Sequence, residues 1–396
     1  MPPFLLRTGF LLAVLWLALW PALGPATVQA ASPSLPPVGH VFVIMLENKT
    51  YSETFGPASP APYLSRELPA KGALLSRFYG VAHFSLPNYI ALISGQAPNP
   101  DTQDDCETYT DFVTTGLGAD GQVIGRGCVY PASVPTLADQ LSAAGRSWKA
   151  YLEDMGNDPA RESPRCGHPP LGAADRTQVA APNDQYAARH NPFVYFHSII
   201  DGPDCAARVV ALPALSDDLR SAATTPEFVY IAPNLCHDGH DGGRPGVLCA
   251  NGEPGGLASA DAFLRLWVPR ILAAPAFQKD GLLVITFDEA DVPEIGDPGA
   301  DASACCGELP GPNVQPGQMI GGVASRGPGI AGPGGGRIGA VVLSPFVRPG
   351  TRSSQPYNHY SLLRTIEDLF GLGYLGYAGR PDLRPFGSDL FRSSGR

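Results

Sequence analysis

The chain has 396 residues, 44% of them hydrophobic, and a formal net charge of −10 at pH 7. This hydrophobic content excludes general disorder, although 46 Gly and 42 Pro indicate many loops. The negative charge argues against DNA, RNA or an anionic membrane surface as the main partner, so no nucleic acid partner is expected.

The first 30 residues are predicted to be a secretory signal peptide. One Arg precedes an apolar run, and Val28-Gln29-Ala30 provides a small-residue cleavage site. An uncleaved membrane anchor is the competing interpretation, but the apolar core is short for a span and is interrupted by Pro21 and Pro25. No later segment is long and apolar enough to cross a bilayer. The mature chain is therefore expected to be secreted, periplasmic or extracellular, without an integral membrane segment.

The rest of the chain alternates short apolar runs with helical patterns. Continuous apolar or β-branched runs predict strands at 40–46, 226–232, 281–287 and 337–346. Capping residues and periodicity predict helices at 133–145 with a Ser cap, at 258–274 interrupted at Pro269, and at 358–373 ended by Gly371. This alternation favours an α/β sandwich around a largely parallel sheet, folded as one large domain or two. The Gly/Pro-rich stretch 293–336 is either a long surface loop flanking the site or a tolerated disordered insertion.

The cysteines indicate an oxidising compartment. All eight follow the predicted signal peptide, and an even count in an exported chain is typical of disulfides. Proximity alone suggests the pairs Cys106–Cys128 and Cys236–Cys249. A four-Cys zinc site is the alternative, although no CxxC spacing supports it.

Polar side chains collect directly after the apolar runs. In open α/β sheets, ligands bind beyond the carboxyl ends of the strands. The groups at these positions are Glu47 and Asn48, Ser85 and Asn88, the segment "HDGHD" at 237–241, and Asp288 and Glu289. Each group alone is compatible with a helix cap or a solvated turn. Their convergence at one end of the sheet predicts a functional site.

Ser85 has two compatible interpretations. Followed by Pro87, it is a good N-cap for a helix that begins near that proline. A hydroxyl at a helix N-terminus also faces free backbone N–H groups, which favour an anion. A phosphoryl group on Ser85 would be stabilised there.

The histidines of the chain suggest different roles. His237 and His240 lie with two Asp around a Gly that permits a tight turn, which indicates a metal or phosphate site rather than a core segment. His359, at the start of the last predicted helix, is by itself more typical of a surface position.

Five segments, taken in order, resemble a known family. They are "VIMLENKTYSETFG", "HFSLPNYIALISG", "PNLCHDGHD", "ITFDEAD" and "NHYSLLRTIEDLFGL". They resemble the bacterial secreted acid phosphatase/phospholipase C (phosphoesterase) family of the alkaline-phosphatase superfamily. "RHNPFVYF" at 189–196 adds a likeness to small acid phosphatases that include phosphatidylinositol 3-phosphatases. The resemblance implies an alkaline-phosphatase-like three-layer α/β sandwich with a largely parallel central sheet, and a single phosphoesterase domain at 31–396.

The resemblance also implies roles for individual residues. Ser85 matches the nucleophile, and Asn88 matches an amide that hydrogen-bonds a phosphoryl oxygen. His240 and His359 fall where full alkaline phosphatases hold a second metal. The implied metal ligands are Glu47, Asn48, Ser85, Asp288 and Glu289. An all-oxygen set suits one hard divalent cation, Mg, Ca or Mn, which would also offset the negative charge of the chain.

The sequence departs at two points from the two-zinc ligand pattern of full alkaline phosphatases, and both points affect this assignment. The first strand ends in Glu-Asn instead of a lone Asp, and the later pair is Asp-Glu instead of Asp-His. One metal is therefore expected, which leaves His237, His240 and His359 to bind phosphate or to protonate the leaving alcohol. His83 and His190 are further candidates for substrate binding, each of which could equally be structural.

The sequence therefore predicts a secreted, metal-dependent phosphomonoesterase (acid phosphatase) that acts through a phosphoserine intermediate. Its expected substrate is a small phosphate ester or a phosphoinositide-like compound. A phospholipase C-type phosphodiesterase with the same centre is one alternative, and a non-catalytic phosphate- or metal-binding surface protein is another. A sulfatase is disfavoured, because "SLPNY" lacks the Arg of the C/S-x-P-x-R sequence that sulfatases need.

Overall fold

The computed structural model describes Met1 and residues 35–291, 301–320 and 322–392. The predicted signal peptide, apart from Met1, lies outside the described residues, as does the beginning of the predicted 293–336 loop. The described strands are β1 His40–Leu46, β2 Ala73–Leu75, β3 Phe78–Tyr79, β4 Val113–Leu117, β5 Val123–Arg126, β6 Trp148–Leu152, β7 Val209–Ala211, β8 Phe228–Ala232, β9 Gly281–Phe287, β10 Met319–Ile320, β11 Val323–Ala324, β12 Ala340–Leu343, β13 Thr351–Ser353 and β14 Tyr357–Asn358.

The described α-helices are α1 Tyr51–Phe55, α2 Leu68–Lys71, α3 Ser85–Ser94, α4 Leu137–Ala143, α5 His197–Ile200, α6 Asp204–Arg208, α7 Leu215–Asp218, α8 Gly256–Ala273, α9 Pro275–Asp280 and α10 His359–Phe370. A π-helical turn, Tyr63–Glu67, and several short 3₁₀ turns, including Ala188–His190, connect them. In this part of the chain no helix combines the length and the apolarity that a membrane span requires.

Eight strands form the central sheet, in the order β13-β2-β12-β9-β1-β8-β6-β7. β1 lies between β9 and β8 and runs parallel to both, while β12 is antiparallel to its two neighbours. Every residue of β1, β8 and β9 is buried, so both faces of the sheet centre are covered by other elements. The predicted α/β class with a largely parallel central sheet is confirmed.

The predicted elements are present, with two corrections. Helix α8 continues through Pro269, so the predicted interruption there is wrong. The proline leaves the carbonyl of Arg265 without its helical donor, and the Arg265 side chain is 45% exposed, so water can satisfy that carbonyl. Helix α4 is capped by Thr136 rather than by Ser133, because Thr136 and Asp139 form a reciprocal capping box.

All eight cysteines are paired. The predicted Cys106–Cys128 and Cys236–Cys249 disulfides are confirmed, and Cys166–Cys205 and Cys305–Cys306 accompany them. No thiol is therefore left for the alternative four-Cys zinc site.

The described part of the predicted 293–336 loop packs beside the loop that precedes α3. Asp301 accepts hydrogen bonds from the backbone N–H groups of Ser303 and Arg337, at 2.8 and 3.1 Å. The backbone N–H of Gly335 donates to the carbonyl of Gly80, at 3.0 Å. These contacts fix residues 301–303 and 334–337 next to the end of the sheet where Ser85 lies.

Candidate active site

The register of the sheet brings the first two acidic groups together. Leu46 of β1 pairs with Phe287 of β9, so Glu47 and Asp288 leave their strands at the same level. The Asp288 N–H donates to the carbonyl of Leu46, and the Asn48 N–H donates to Asp288 Oδ1, each at 3.0 Å. Both carboxylates are fully buried at this carboxyl end of the sheet.

Ser85 faces this pair from the start of α3. It is the first helical residue, not the predicted N-cap; that position is held by Phe84, whose φ of +64° is unusual for a residue with a side chain. The Ser85 hydroxyl donates to Glu47 Oε1 at 2.6 Å instead of accepting a hydrogen bond from the helix backbone. The turn therefore aims the hydroxyl at the sheet end.

The donor set fits a divalent cation. One buried side-chain oxygen in each of four predicted ligands accepts no hydrogen bond from any described residue: Glu47 Oε2, Asn48 Oδ1, Asp288 Oδ2 and Glu289 Oε1. Unpaired buried carboxylate oxygens are costly unless a positive charge compensates them. Four oxygens of this kind on residues that follow adjacent strands are what a hard cation requires of its ligands.

His190 joins the site through Glu47. Single ligand atoms of Glu47, His190 and Asp238 lie within 4.8 Å of one another, and His190 Nε2 directly contacts Glu47 Oε1. Burial alone would raise the pKa of Glu47, but His190 and the guanidinium of Arg189 hold it below its ordinary value. Burial and the charge of Glu47 raise the pKa of Asp238 and Asp288 well above the usual range. This centre therefore has an excess of negative charge.

The two predicted catalytic histidines differ in protonation. Partial burial disfavours the charged form of His240, but a hydrogen bond to Asp241 at 2.8 Å and the charges of Glu47 and Asp238 raise its pKa to about 9. Its side chain is 41% exposed. His359 is fully buried, which lowers its pKa to about 4, and its Nε2 lies 2.5 Å from the Asp288 carbonyl oxygen. Of these two histidines, only His240 is therefore in the doubly protonated imidazolium form at neutral pH.

Comparison with protein families identifies the chain. The family model described as the phosphoesterase family matches residues 58–373. The chain belongs to the phosphoesterase family. This phosphoesterase is 27% identical to the phosphate-repressible acid phosphatase of Penicillium chrysogenum over 248 residues, which are 63% of this chain and 47% of that protein. It thus spans about half the length of that relative. It is 26% identical to the phosphatidylinositol-3-phosphatase of Mycobacterium tuberculosis, over 93% of this chain and 88% of that protein.

A solved structure shares the fold of this chain. The structure of a protein in the alkaline phosphatase superfamily from Vibrio parahaemolyticus matches with a TM-score of 0.51 and 11% identity, over 90% of this chain and 72% of that chain. At this identity the likeness concerns the fold alone, and it confirms the predicted alkaline-phosphatase-like architecture. The family assignment agrees with the predicted enzyme class, a phosphoric ester hydrolase.

Asn88 does not present its amide to a substrate in this phosphoesterase. Its Oδ1 accepts the backbone N–H groups of Val81 and Ala82, at 2.8 and 3.1 Å, and its Nδ2 donates to the carbonyls of Ala82 and Phe84, at 2.9 and 3.0 Å. Both donors of the amide and its acceptor oxygen are thereby used. In the described structure Asn88 holds the loop that ends at Ser85, and its predicted contact with a phosphoryl oxygen stays a prediction.

Replacing Asn88 with alanine is therefore expected to destabilise the fold. The change leaves the buried N–H groups of Val81 and Ala82 without an acceptor, which costs about 2–4 kcal/mol of unfolding free energy. Chemical denaturation measures this loss. Asn251→Ala, at an exposed amide, should change stability by less than about 0.5 kcal/mol. A raised KM at unchanged stability for Asn88→Ala would instead restore the substrate-binding interpretation.

Two other predicted substrate-binding histidines are also engaged elsewhere. His83 is fully buried, its Nδ1 contacts Glu289, and its Nε2 lies 3.2 Å from the carbonyl oxygen of Asp301. His237 lies between Glu153 and Glu253, at 3.0 and 3.1 Å. The partners of each ring occupy both of its nitrogens: His83 orients Glu289, and His237 ties two loops together. Their predicted contacts with substrate stay predictions.

The sequence analysis missed Arg189 and Asp105. Arg189 is 7% exposed and lies 3.9 Å from Asp105 (Nε to Oδ2). Burial raises the pKa of Asp105 to about 6. Asp105 Oδ1 accepts the backbone N–H of Leu86, the residue after Ser85, at 2.9 Å. Neither residue follows a predicted strand, so the sheet-end rule could not find them. The position of Arg189 directly before His190 was the available signal.

Proposed function

We propose that this phosphoesterase is a secreted, metal-dependent phosphomonoesterase that acts through a phosphoserine at Ser85, in a single domain spanning 31–396. The observation that carries the proposal is the Ser85–Glu47 hydrogen bond of 2.6 Å at the carboxyl end of the sheet, surrounded by buried oxygens that lack partners in the described chain. A serine hydroxyl is a poor nucleophile unless its surroundings activate it. This arrangement supplies both the orientation and a place for a cation.

Glu47, Asn48, Ser85, Asp288 and Glu289 would hold one divalent cation, for which Mg, Ca or Mn suits the oxygen donors. His190 and Asp238 lie beside this set through Glu47. When bound, such a cation lowers the pKa of a nearby hydroxyl and offsets charge on a phosphoryl group.

The residues of the chain itself position the reaction. Glu47 accepts the hydrogen bond of the Ser85 hydroxyl and so fixes the direction of the oxygen lone pairs. The Ser85 oxygen attacks phosphorus in line while its proton passes to Glu47 Oε1, so that the Oγ–P bond forms and the ester P–O bond breaks. Glu47 returns this proton to Oγ when the phosphoserine is hydrolysed. His240, protonated at neutral pH, donates a proton to the departing alcohol and then accepts one from the water that hydrolyses the phosphoserine. His359, neutral at that pH, positions Asp288 through the backbone carbonyl.

The names of two relatives support a phosphate monoester as the substrate and indicate its chemical class. The Penicillium chrysogenum relative is named an acid phosphatase, and the Mycobacterium tuberculosis relative a phosphatidylinositol-3-phosphatase. We therefore propose a small phosphate ester or a phosphoinositide-like compound as the substrate. Disulfides that join residues 13 to 39 positions apart support an exported protein.

The deciding experiment compares an aryl phosphate monoester with the matching diester, across pH, with and without chelator. We expect turnover of the monoester that chelator abolishes and one added cation restores. Preference for the diester would favour the phospholipase C-type alternative. Absence of turnover with every divalent metal tested would overturn the proposal and favour a binding protein.

A further inference from the structure

The N-terminus of α3 already holds an anion that belongs to the chain. The Asp105 carboxylate accepts the N–H of Leu86 with Oδ1, and its Oδ2 lies 3.9 Å from Arg189 Nε. It therefore connects the residue after the nucleophile with a guanidinium. An N–H at the start of a helix and a buried cation are the two groups that bind phosphate oxygens most readily.

Arg189 is only partly used by the rest of the protein. Its Nη1 donates to the carbonyl oxygen and to Oε1 of Gln178, at 3.2 and 3.3 Å. Within the described ranges, its Nε and Nη2 make no hydrogen bond that meets normal geometry. Its side chain is 9% exposed, and the guanidinium N–H groups without a partner in the described residues are available to an anionic ligand.

The two side chains that Arg189 contacts line an open cavity of about 390 Å³, together with Phe84, Asp104, Glu107 and Gly322. Phe84 immediately precedes Ser85 in the chain, although Ser85 and Arg189 do not themselves line the cavity. Cys106, next to Asp105, is joined to Cys128, which fixes the loop that carries the carboxylate. A phosphate ion therefore has space to approach Asp105 and Gln178, the two side chains that contact Arg189.

We propose that Arg189 binds the phosphoryl oxygens of the substrate and of the phosphate product, and that Asp105 holds this position in the free enzyme. The proposal rests on the proposed function, because it takes Ser85 as the phosphoryl acceptor. With the Asn88 amide committed to the backbone, Arg189 supplies the side-chain donors of the site. Asp105 weakens phosphate binding through its negative charge and so assists product release.

The test measures the affinity for inorganic phosphate, by calorimetry and as an inhibition constant, in the metal-loaded full chain. Asp105→Asn keeps an acceptor for the Leu86 N–H but removes the charge, and we expect phosphate to bind about tenfold tighter. Arg189→Met should weaken binding about tenfold or more and lower kcat/KM, whereas Arg189→Lys should retain part of the affinity. In the Asp105→Asn/Arg189→Met double variant, the gain from Asp105→Asn should disappear.

Arg146→Lys is the matched control. Arg146 pairs with Glu227 at 2.6 Å beside the amino ends of β6 and β8, at the opposite edge of the sheet, and its replacement should leave phosphate affinity unchanged. Wild-type phosphate affinity in both Arg189 variants with unaltered melting temperatures, or additive effects in the double variant, would overturn the proposal. Calorimetry keeps the two proposals separable: a wild-type protein that binds phosphate as described but turns over no ester refutes only the proposed function.

Discussion

Replacing Ser85 with alanine is expected to lower kcat for an aryl phosphate monoester by a factor on the order of 10³ or more. The hydroxyl oxygen is the atom that would be phosphorylated, and its hydrogen bond to Glu47 Oε1 holds it at the end of the sheet. Acid quenching during turnover should trap a labelled phosphoprotein in the wild type and none in Ser85→Ala. The melting temperature should change little, because only one oxygen atom is removed.

Ser94 provides a matched control in the same helix. It is also buried, and its hydroxyl donates to the carbonyl of Ile90 at 2.7 Å, at the opposite end of α3. Ser94→Ala should keep kcat within a small factor of the wild type and should still form the phosphoprotein. Near-wild-type turnover by Ser85→Ala would reject the nucleophile and leave Ser85 as a structural residue at the helix start.

The parts of the site that the sequence predicts well follow buried strands. The continuous apolar runs at 40–46 and 281–287 indicate strands covered on both faces, and parallel pairing then places the following residues at one edge. That reasoning locates Glu47 and Asp288 without any knowledge of the loops between them. It succeeds because sheet register carries distant segments to the same level.

The groups that the sequence does not place are those whose roles depend on their partners in the fold. Asn88 has the same sequence neighbours whether its amide binds phosphate or the loop at 81–84, and only the folded backbone decides between these roles. Asp105 and Arg189 are 84 positions apart in the sequence and lie close together in the fold. Both belong to irregular segments, whose sequences show no hydrophobic periodicity from which this contact could be predicted. Pro269 is tolerated because it lies on the face of α8 that is exposed to solvent. Exposure depends on the tertiary structure, so local helix propensity cannot predict it.

Removing divalent metal is expected to destabilise the protein as well as inactivate it. Without a cation, Glu47, Asp288 and Glu289 place carboxyl groups together in a region without solvent, and their unpaired oxygens repel one another. A cation present at about 100 times its Kd would add about 2.7 kcal/mol to the unfolding free energy. For a domain of this size the melting temperature should then rise by about 3–4 °C over that in chelator.

Asp288→Asn distinguishes this metal effect from general stabilisation by salt. The amide removes one negative charge from the buried group, so the variant in chelator should melt at or above the wild-type temperature, and added metal should raise it little. Asp218→Asn is the control, because Asp218 accepts from Lys149 at 2.8 Å and from the Tyr151 hydroxyl at 2.6 Å and so has its own partners. That variant should lose stability equally with and without metal. An unchanged wild-type melting temperature across Mg, Ca and Mn would mean that the buried oxygens are satisfied in another way, and the proposed metal site would then be wrong.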